Sequence, residues 1–277
     1  MTTYTAGRSA GSRSGWAAAH DLRDRVAIVF GAGSSGSGVS NGEAAARAYA
    51  LAGARVVVVD VNTTEAERVA REVAVAGGAA LAVMADVTDE SQVAAAFRTA
   101  TGEFGAPDVL HNNVGVARIG SVLELGMDDW NTAVQLNLTS AYLTARHALP
   151  GMLAAGRGAI VNVSSTASIR HTGYIYPVYN ATKAGVNQLT VSLALTYAAQ
   201  GIRANAVLPG LIDTPLVSAQ ITDDPDALAA RHNASPTGRM GSPWDVANVS
   251  VFLASDAAAY VNGVCLPVDG GLAARCM

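Results

Sequence analysis

The chain has 277 residues, half of them hydrophobic and 14% charged, with a formal net charge of −4 at pH 7. This composition excludes a chain disordered over most of its length, and the acidic balance with unclustered Lys and Arg gives no basic footprint, so no nucleic-acid partner is expected. Two cysteines, Cys265 and Cys276, and five histidines without HxxxH or HExxH spacing make neither a disulfide framework nor a zinc motif; no metal is expected, and a reducing, cytoplasmic setting is.

In chain order, residues 1–21 are rich in Ser, Thr, Gly and Arg, carry no acid before Asp21 and lack the apolar core of a secretory signal. They read as a flexible tail rather than a transit peptide. No uninterrupted apolar run of ~18 residues occurs, so no membrane span is expected. Arg25–Phe30 is a short apolar run of the kind buried in parallel sheets. A glycine-rich loop, Gly31 to Gly42, follows at once. After it come an alanine-rich helical stretch, Glu43 to Leu51, and a second apolar strand, Arg55–Asp60. Together these make a βαβ unit.

A loop between strand and helix suits a pyrophosphate. Glycines let the backbone approach closely, and the helix N-terminus offers free N–H groups to an anion. Gly31, Gly33, Gly36 and Gly42 are the candidate cradle. Asp60, at the end of the second strand, is placed to accept hydrogen bonds from an adenosine ribose. Its charge would repel a 2′-phosphate, and the loop holds no Lys or Arg to compensate, so NAD is expected over NADP. A glycine loop alone is often only a flexible turn; strand, loop, helix, strand and terminal acid together are far more specific.

The alternation continues. Thr64–Ala76 is helical, Ala80–Met84 a third strand ending in Asp86-Val87, and Ser91–Phe104 helical again. Asp108–His111 is a fourth strand running into Asn112-Asn-Val-Gly115. Asp128–Ala155 is a long helical stretch with an interruption expected near Pro150-Gly151. Ala159–Val163 is a fifth strand followed by Ser164-Ser165. A helix carrying Tyr179 comes next, then Arg203–Leu208 as a sixth strand. Residues 209–241 read as loop with breakers at Pro215, Pro225 and Pro236. Trp244–Ala254 is a last helix and Val264–Val268 a last strand. Such alternation predicts an α/β chain with a single Rossmann-type, doubly wound parallel sheet of about seven strands, helices on both faces, and residues 22–277 forming one NAD-binding catalytic domain. Gly31, Asp60, Asp86, Asn112, Ser164, Ser165 and Pro209 all fall at strand carboxyl ends, where such sheets bind ligands.

Tyr179 and Lys183 stand four apart at the head of a helical run, hence on one face. A lysine charge at ~5 Å, with an effective dielectric of ~20, favours phenolate by roughly 3 kcal/mol and would take the tyrosine from ~10 toward ~8. A tyrosine so tuned can exchange a proton with a substrate oxygen. Such pairs also occur by chance on ordinary helices.

These residues resemble those of the short-chain dehydrogenase/reductase family over roughly residues 22–272. The matching motifs are the loop at Gly31, Asp86-Val87, Asn112-Asn-Val-Gly115, Asn137-Leu-Thr-Ser140, Ile160-Val-Asn-Val-Ser-Ser165, Tyr179-x-x-x-Lys183, Arg203-Ala-Asn-Ala-Val-Leu-Pro-Gly210, Thr214-Pro215 and Val268-Asp-Gly-Gly271. The resemblance implies Tyr179 as acid/base and Lys183 as its tuner and a ligand of the nicotinamide ribose. It implies Ser165 as the holder of the substrate oxygen and Asn137 as holder of a relay water. Asn113, Asp86, Val87, Pro209, Ile212 and Thr214 would wall or hold the cofactor. Ser164 and Thr166 compete with Ser165, and Asn137 could instead satisfy a backbone group in a helix kink. The pattern departs from the family at Phe30, where a threonine is usual, and in its longer loop, which resembles an extended Gly-Ser-Ser-Gly…Asn-Gly variant. Something other than a threonine must therefore brace the turn.

The resemblance implies an NAD-dependent short-chain alcohol dehydrogenase or carbonyl reductase interconverting a secondary alcohol and a ketone, and a homotetramer. A lid over residues 211–240, with Leu216, Val217, Ile221 and Leu228, favours a hydrophobic or cyclic substrate. The alternatives are a non-catalytic NAD(H)-sensing regulator on the same fold and an NAD-dependent sugar or polyol dehydrogenase.

Overall fold

The computed structural model describes residues 15, 18–34, 36, 38–215 and 225–275. Most of the tail and the lid residues Leu216, Val217 and Ile221 lie outside them. Seven strands form one parallel sheet: β1 (Val26–Phe30), β2 (Arg55–Asp60), β3 (Ala79–Met84), β4 (Val109–Asn112), β5 (Gly158–Val163), β6 (Ile202–Pro209) and β7 (Cys265–Val268). Their order is β3-β2-β1-β4-β5-β6-β7. The winding therefore reverses between β1 and β4, and that is where open α/β sheets admit a ligand.

The unbroken apolar runs follow from burial on two faces. Ala27, Val29, Val56, Val58, Val109 and Val161 point to one side, against α1 (Asn41–Leu51), α2 (Thr63–Val75) and, late in the chain, Pro243–Ala254. Val26, Ile28, Phe30, Val57, Val59, Leu110 and Ile160 point to the other, against α3 (Glu90–Phe104) and the helices Ser140–Ala155 and Pro177–Tyr197. A fully buried Val or Ile contributes ~1.5–3 kcal/mol, which is why β1 and the interior of β2 are apolar without alternation. The edge strands β3 and β7 are only partly covered.

Two elements differ from the sequence reading. The long helical stretch divides into α4 (Met127–Val134) and α5 (Ser140–Ala155), but the break is a π-turn over Gln135–Thr139, and Pro150 lies inside α5. The π-turn inserts one extra residue, and Asn137 sits within it. The helix α6 spans Pro177–Tyr197. The segment read as loop contains α7 (Pro225–Ala234), in which Pro225 is a first-turn residue instead of a breaker. The last helix, α8, runs from Pro243 to Ala254.

Candidate active site

The carboxyl ends of β1, β2, β4, β5 and β6 open into one cleft of about 600 Å³. Of the residues singled out from sequence, Gly31, Gly33, Asp60, Asp86, Val87, Asn113, Ser165, Tyr179, Lys183, Pro209, Ile212 and Thr214 line it. Gly36, Gly42 and Asn137 are not in its wall.

The glycine loop is braced without the missing threonine. Phe30 is buried and packs on Phe97, their ring centroids 5.7 Å apart. Ser40 takes over the bracing: its hydroxyl caps α1 by accepting from the Glu43 N–H (3.1 Å) and donates to the Gly33 carbonyl (2.7 Å). Ser34 Oγ reaches the carbonyls of Gly36 (3.2 Å) and Gly38 (3.0 Å). The Ser-x-x-Glu spacing at Ser40 was a readable helix-start signal. Gly42 lies beneath the loop. A Cβ there would stand 1.9 Å from the Gly31 carbonyl oxygen, so glycine is what lets α1 approach the turn. Asn113 Nδ2 donates to the same carbonyl at 2.9 Å. Gly31 itself adopts φ +73°, and a Cβ on it would meet Val114 at 2.9 Å.

Two carboxylates hold the far side of the loop. Asp60 Oδ2 accepts from the Gly33 N–H (2.8 Å). Glu65 Oε2 accepts from the Ser34 N–H (3.2 Å) and from Arg68 (2.9 Å). Arg68 is shared with buried Glu43 (2.7 Å) and Glu72 (3.0 Å), and Arg47 also contacts Glu43 (2.5 Å) and Glu72. Hydrogen bonds from Arg68 hold the Glu65 carboxyl below its ordinary range, with a smaller contribution from the Ser34 N–H. The Glu65–Arg68 pair at i,i+3 on α2 is local, but the contact of Glu65 with Ser34 in the glycine loop leaves no trace in the sequence.

The chain fits a dinucleotide at this end. The first-turn N–H groups of α1 have no intrahelical acceptors. Asn41 lines the cleft with its buried Oδ1 unpartnered, an acceptor with nothing to accept from. Asp86 turns its Oδ1 to the Thr88 N–H (2.8 Å) and hydroxyl (2.7 Å), so it shapes a turn beside Val87.

At the other end stand the proton-handling groups. Ser164 Oγ is committed to the Lys183 carbonyl (3.0 Å) and Thr166 Oγ1 to the Pro209 carbonyl (3.3 Å). This leaves Ser165, whose Oγ accepts from the Ala167 N–H (3.1 Å), as the serine hydroxyl that acts on Tyr179. Lys183 is buried, its Nζ donating to the Val163 carbonyl at 2.8 Å and lying 5.8 Å from the Tyr179 ring centroid. Here the acidified tyrosine expected from sequence is not what the free protein shows. Burial pushes Tyr179 up to about 12, the Ser165 hydrogen bond pulling the other way and Tyr176 adding to the rise. Burial likewise brings Lys183 down to about 8. Helical spacing put the two on one face, but the lysine reaches past the ring to a strand carbonyl.

Asn137 is held by the π-turn with both ends of its amide engaged. Oδ1 accepts from the Val116 N–H (2.7 Å), and Nδ2 donates to the Val116 carbonyl (3.0 Å) and to Thr182 Oγ1 (3.0 Å). It pins the β4 loop to α6. The wall beyond Tyr179 is aromatic: Tyr176 meets Tyr179 edge-on (5.3 Å), and Tyr174 stacks on Tyr176 (5.7 Å). Among the described residues no His/Cys/Asp/Glu cluster could hold a metal, and no helix is long and apolar enough to cross a membrane.

Comparison with known proteins matches this geometry. A family model described as enoyl-(acyl carrier protein) reductase covers residues 36–273. The chain is 48% identical to the cis-4-hydroxycyclohexanecarboxylate dehydrogenase of Sinomonas cyclohexanicum, over 91% of this chain and 97% of that one. It is 36% identical to the cyclohexanol dehydrogenase of Acinetobacter sp. (strain SE19), over 92% and 97%. A gluconate 5-dehydrogenase from Burkholderia cenocepacia J2315, solved in complex with NADP and tartrate, superimposes with a TM-score of 0.86 at 33% identity, covering 94% of this chain and all of that one. Matched from its glycine loop to its last strand, with a tyrosine, a lysine and a serine at the head of its cleft, the chain belongs to the short-chain dehydrogenase/reductase family and is an oxidoreductase of secondary alcohols.

Proposed function

We propose that the protein is an NAD-dependent dehydrogenase that interconverts a ring-borne secondary alcohol and its ketone. The observation that carries this reading is the meeting of Ser165, Tyr179 and Lys183 at one end of a cleft whose other end is the glycine loop and Asp60. Two relatives named for hydroxyl groups on cyclohexane rings support the ring, as does the wall of Tyr174 and Tyr176.

The glycine loop, the first turn of α1, Asp60, Asn113 and Thr214 would hold the dinucleotide. When bound, it supplies a hydride acceptor or donor. The chain's own groups handle the proton. Tyr179 gives its hydroxyl proton to a ketone oxygen, or as phenolate takes one from an alcohol. Ser165 donates a hydrogen bond to the same substrate oxygen as charge builds on it. Lys183, an ammonium 5.8 Å from the ring, favours phenolate by ~3 kcal/mol at an effective dielectric of ~20. That opposes the rise that burial imposes on Tyr179. With both amide ends of Asn137 engaged, its proposed part is to fix Val116 and so hold Gly115 against Lys183; a relay water there would need a main-chain acceptor.

Two acids favour NAD over NADP. Asp60 and Glu65 both face the loop, and Arg68 is shared among Glu43, Glu65 and Glu72, so among the described residues no free cation stands beside them for a 2′-phosphate. The test is cyclohexanol oxidation followed by NADH absorbance. Tyr179→Phe should lower kcat by about 10³-fold, at the scale of a lost general acid/base, while NADH still binds. Near-normal turnover in that variant would exclude the mechanism.

A further inference from the structure

Beyond the proton-handling end, the aromatic wall leads to a cation. Arg231, on α7, lines the cleft with Thr172, Tyr174 and Tyr176. Its Nη1 donates to the Tyr174 hydroxyl at 2.9 Å, and its guanidinium carbon lies 5.2 Å from the centre of the same ring. Its Nε is buried and has no hydrogen-bond partner. Among the described residues no carboxylate lies in salt-bridge range of it, although the other arginines around α1 and α2 are paired.

A charged donor left unpaired in a pocket wall is costly unless something else completes it. Here the anchoring bond to Tyr174 uses Nη1 and leaves the Nε–Nη2 edge without a partner among the described residues. That edge presents two parallel N–H groups, the fork that matches a carboxylate. The cleft's other cation, Lys183, is at the opposite end and bonded to the Val163 carbonyl. The pocket is thus polarised: hydroxyl chemistry at Tyr179, aromatic faces in the middle, and at the far side a guanidinium that no carboxylate among the described residues pairs.

We infer that Arg231 binds a carboxylate on the substrate, so that the protein acts on a cyclic hydroxy acid with its hydroxyl at Tyr179 and its carboxylate on Arg231. This rests on the alcohol-dehydrogenase reading for the hydroxyl end and adds the charge. It adds a charge to the hydrophobic or cyclic substrate expected from the sequence. The carboxylate takes no part in bond making; it orients the ring so that the carbinol carbon is presented beside Tyr179. Arg231 is then a specificity-determining residue, and Tyr174 positions it.

The test separates binding from turnover. Cyclohexanecarboxylate, which has no hydroxyl to oxidise, is titrated calorimetrically into the full-length enzyme saturated with NADH. It should bind the wild type, and Arg231→Met should weaken it by about 10- to 100-fold, the scale of a lost charge-assisted contact. Arg231→Lys, which keeps the charge but not the fork, should recover part of the loss. In turnover, the ratio of kcat/KM for 4-hydroxycyclohexanecarboxylate over that for cyclohexanol should fall by a similar factor in Arg231→Met. A wild type that does not bind cyclohexanecarboxylate, or a substrate ratio unchanged by Arg231→Met, overturns the inference. If binding depends on Arg231 but no alcohol is oxidised, the carboxylate site stands and the dehydrogenase reading falls. Should Arg231→Met fail to fold, Tyr174→Phe tests the same site through its anchor: the ratio should drop about threefold or more, and no change overturns the inference.

Discussion

Replacing Gly42 by alanine sets two physical effects against each other. Gly42 is a helical residue in the first turn of α1. Helix propensity alone predicts that alanine stabilises such a position by ~1 kcal/mol. The local geometry predicts the reverse. The new Cβ would stand 1.9 Å from the Gly31 carbonyl oxygen and 2.7 Å from Asn113 Nδ2. A relaxed carbon–oxygen contact lies near ~3.3 Å, so loop and helix must separate by roughly 1 Å or more. Overpacking of that order costs about 1–3 kcal/mol. The Asn113–Gly31 hydrogen bond, 2.9 Å long, would also be strained, at ~1 kcal/mol. Sterics therefore win, and Gly42→Ala should lose about 1–3 kcal/mol in urea unfolding. Because the carbonyl that moves belongs to the glycine loop, NADH affinity should fall by about 10- to 100-fold in a fluorescence titration. A variant that is more stable than wild type and binds NADH unchanged would show that the close approach is not real.

Cofactor choice and acid stability give further checks. Asp60→Ser should raise the ratio of kcat/KM for NADP over NAD by roughly tenfold, and adding Glu65→Gln should raise it about tenfold again; no second increment would leave Asp60 as the sole discriminator. His111 is buried, its Nδ1 3.1 Å from the Tyr49 hydroxyl and its Nε2 without a partner, and desolvation brings it down to about 3. A base whose folded value lies below its unfolded ~6.5 takes up its proton preferentially in the unfolded chain, so stability holds above ~6.5 and falls as pH drops toward 3. Between pH 7 and 5 the histidine accounts for about 2 kcal/mol of lost unfolding free energy. His111→Gln should flatten the urea-midpoint profile in that window, and parallel profiles would show that the histidine is not the sensor.

Much of the fold was legible because its cause is local. Buried parallel strands must be apolar on both faces, and β1, β2 and β5 announce themselves for that reason. What stayed hidden depends on distant partners or on a single inserted residue. The π-turn at Asn137 has ordinary helical composition, and one extra residue leaves no periodic trace. The helix at Pro225–Ala234 has little apolar patterning and begins with a proline read as a stop. At the site, glycine spacing and the Tyr179/Lys183 pair were visible. The bracing by Ser34 and Glu65, the commitment of Ser164 to Lys183, and the open edge of Arg231 required three dimensions. So did the competition at Tyr179, where desolvation outweighs the hydrogen bond from Ser165.

The carboxylates of Asp60 and Glu65 each hold a backbone N–H of the loop, and Glu65 is clasped by an arginine knotted to the neighbouring helix. The atoms that would turn away a phosphorylated ribose are thus the ones that keep the turn in shape. On the proposed preference for NAD, a change of redox currency and a change of loop stiffness would be inherited as a single trait. A protein engineer who removes both acids to recruit the phosphorylated coenzyme must also build a new clasp for Gly33 and Ser34.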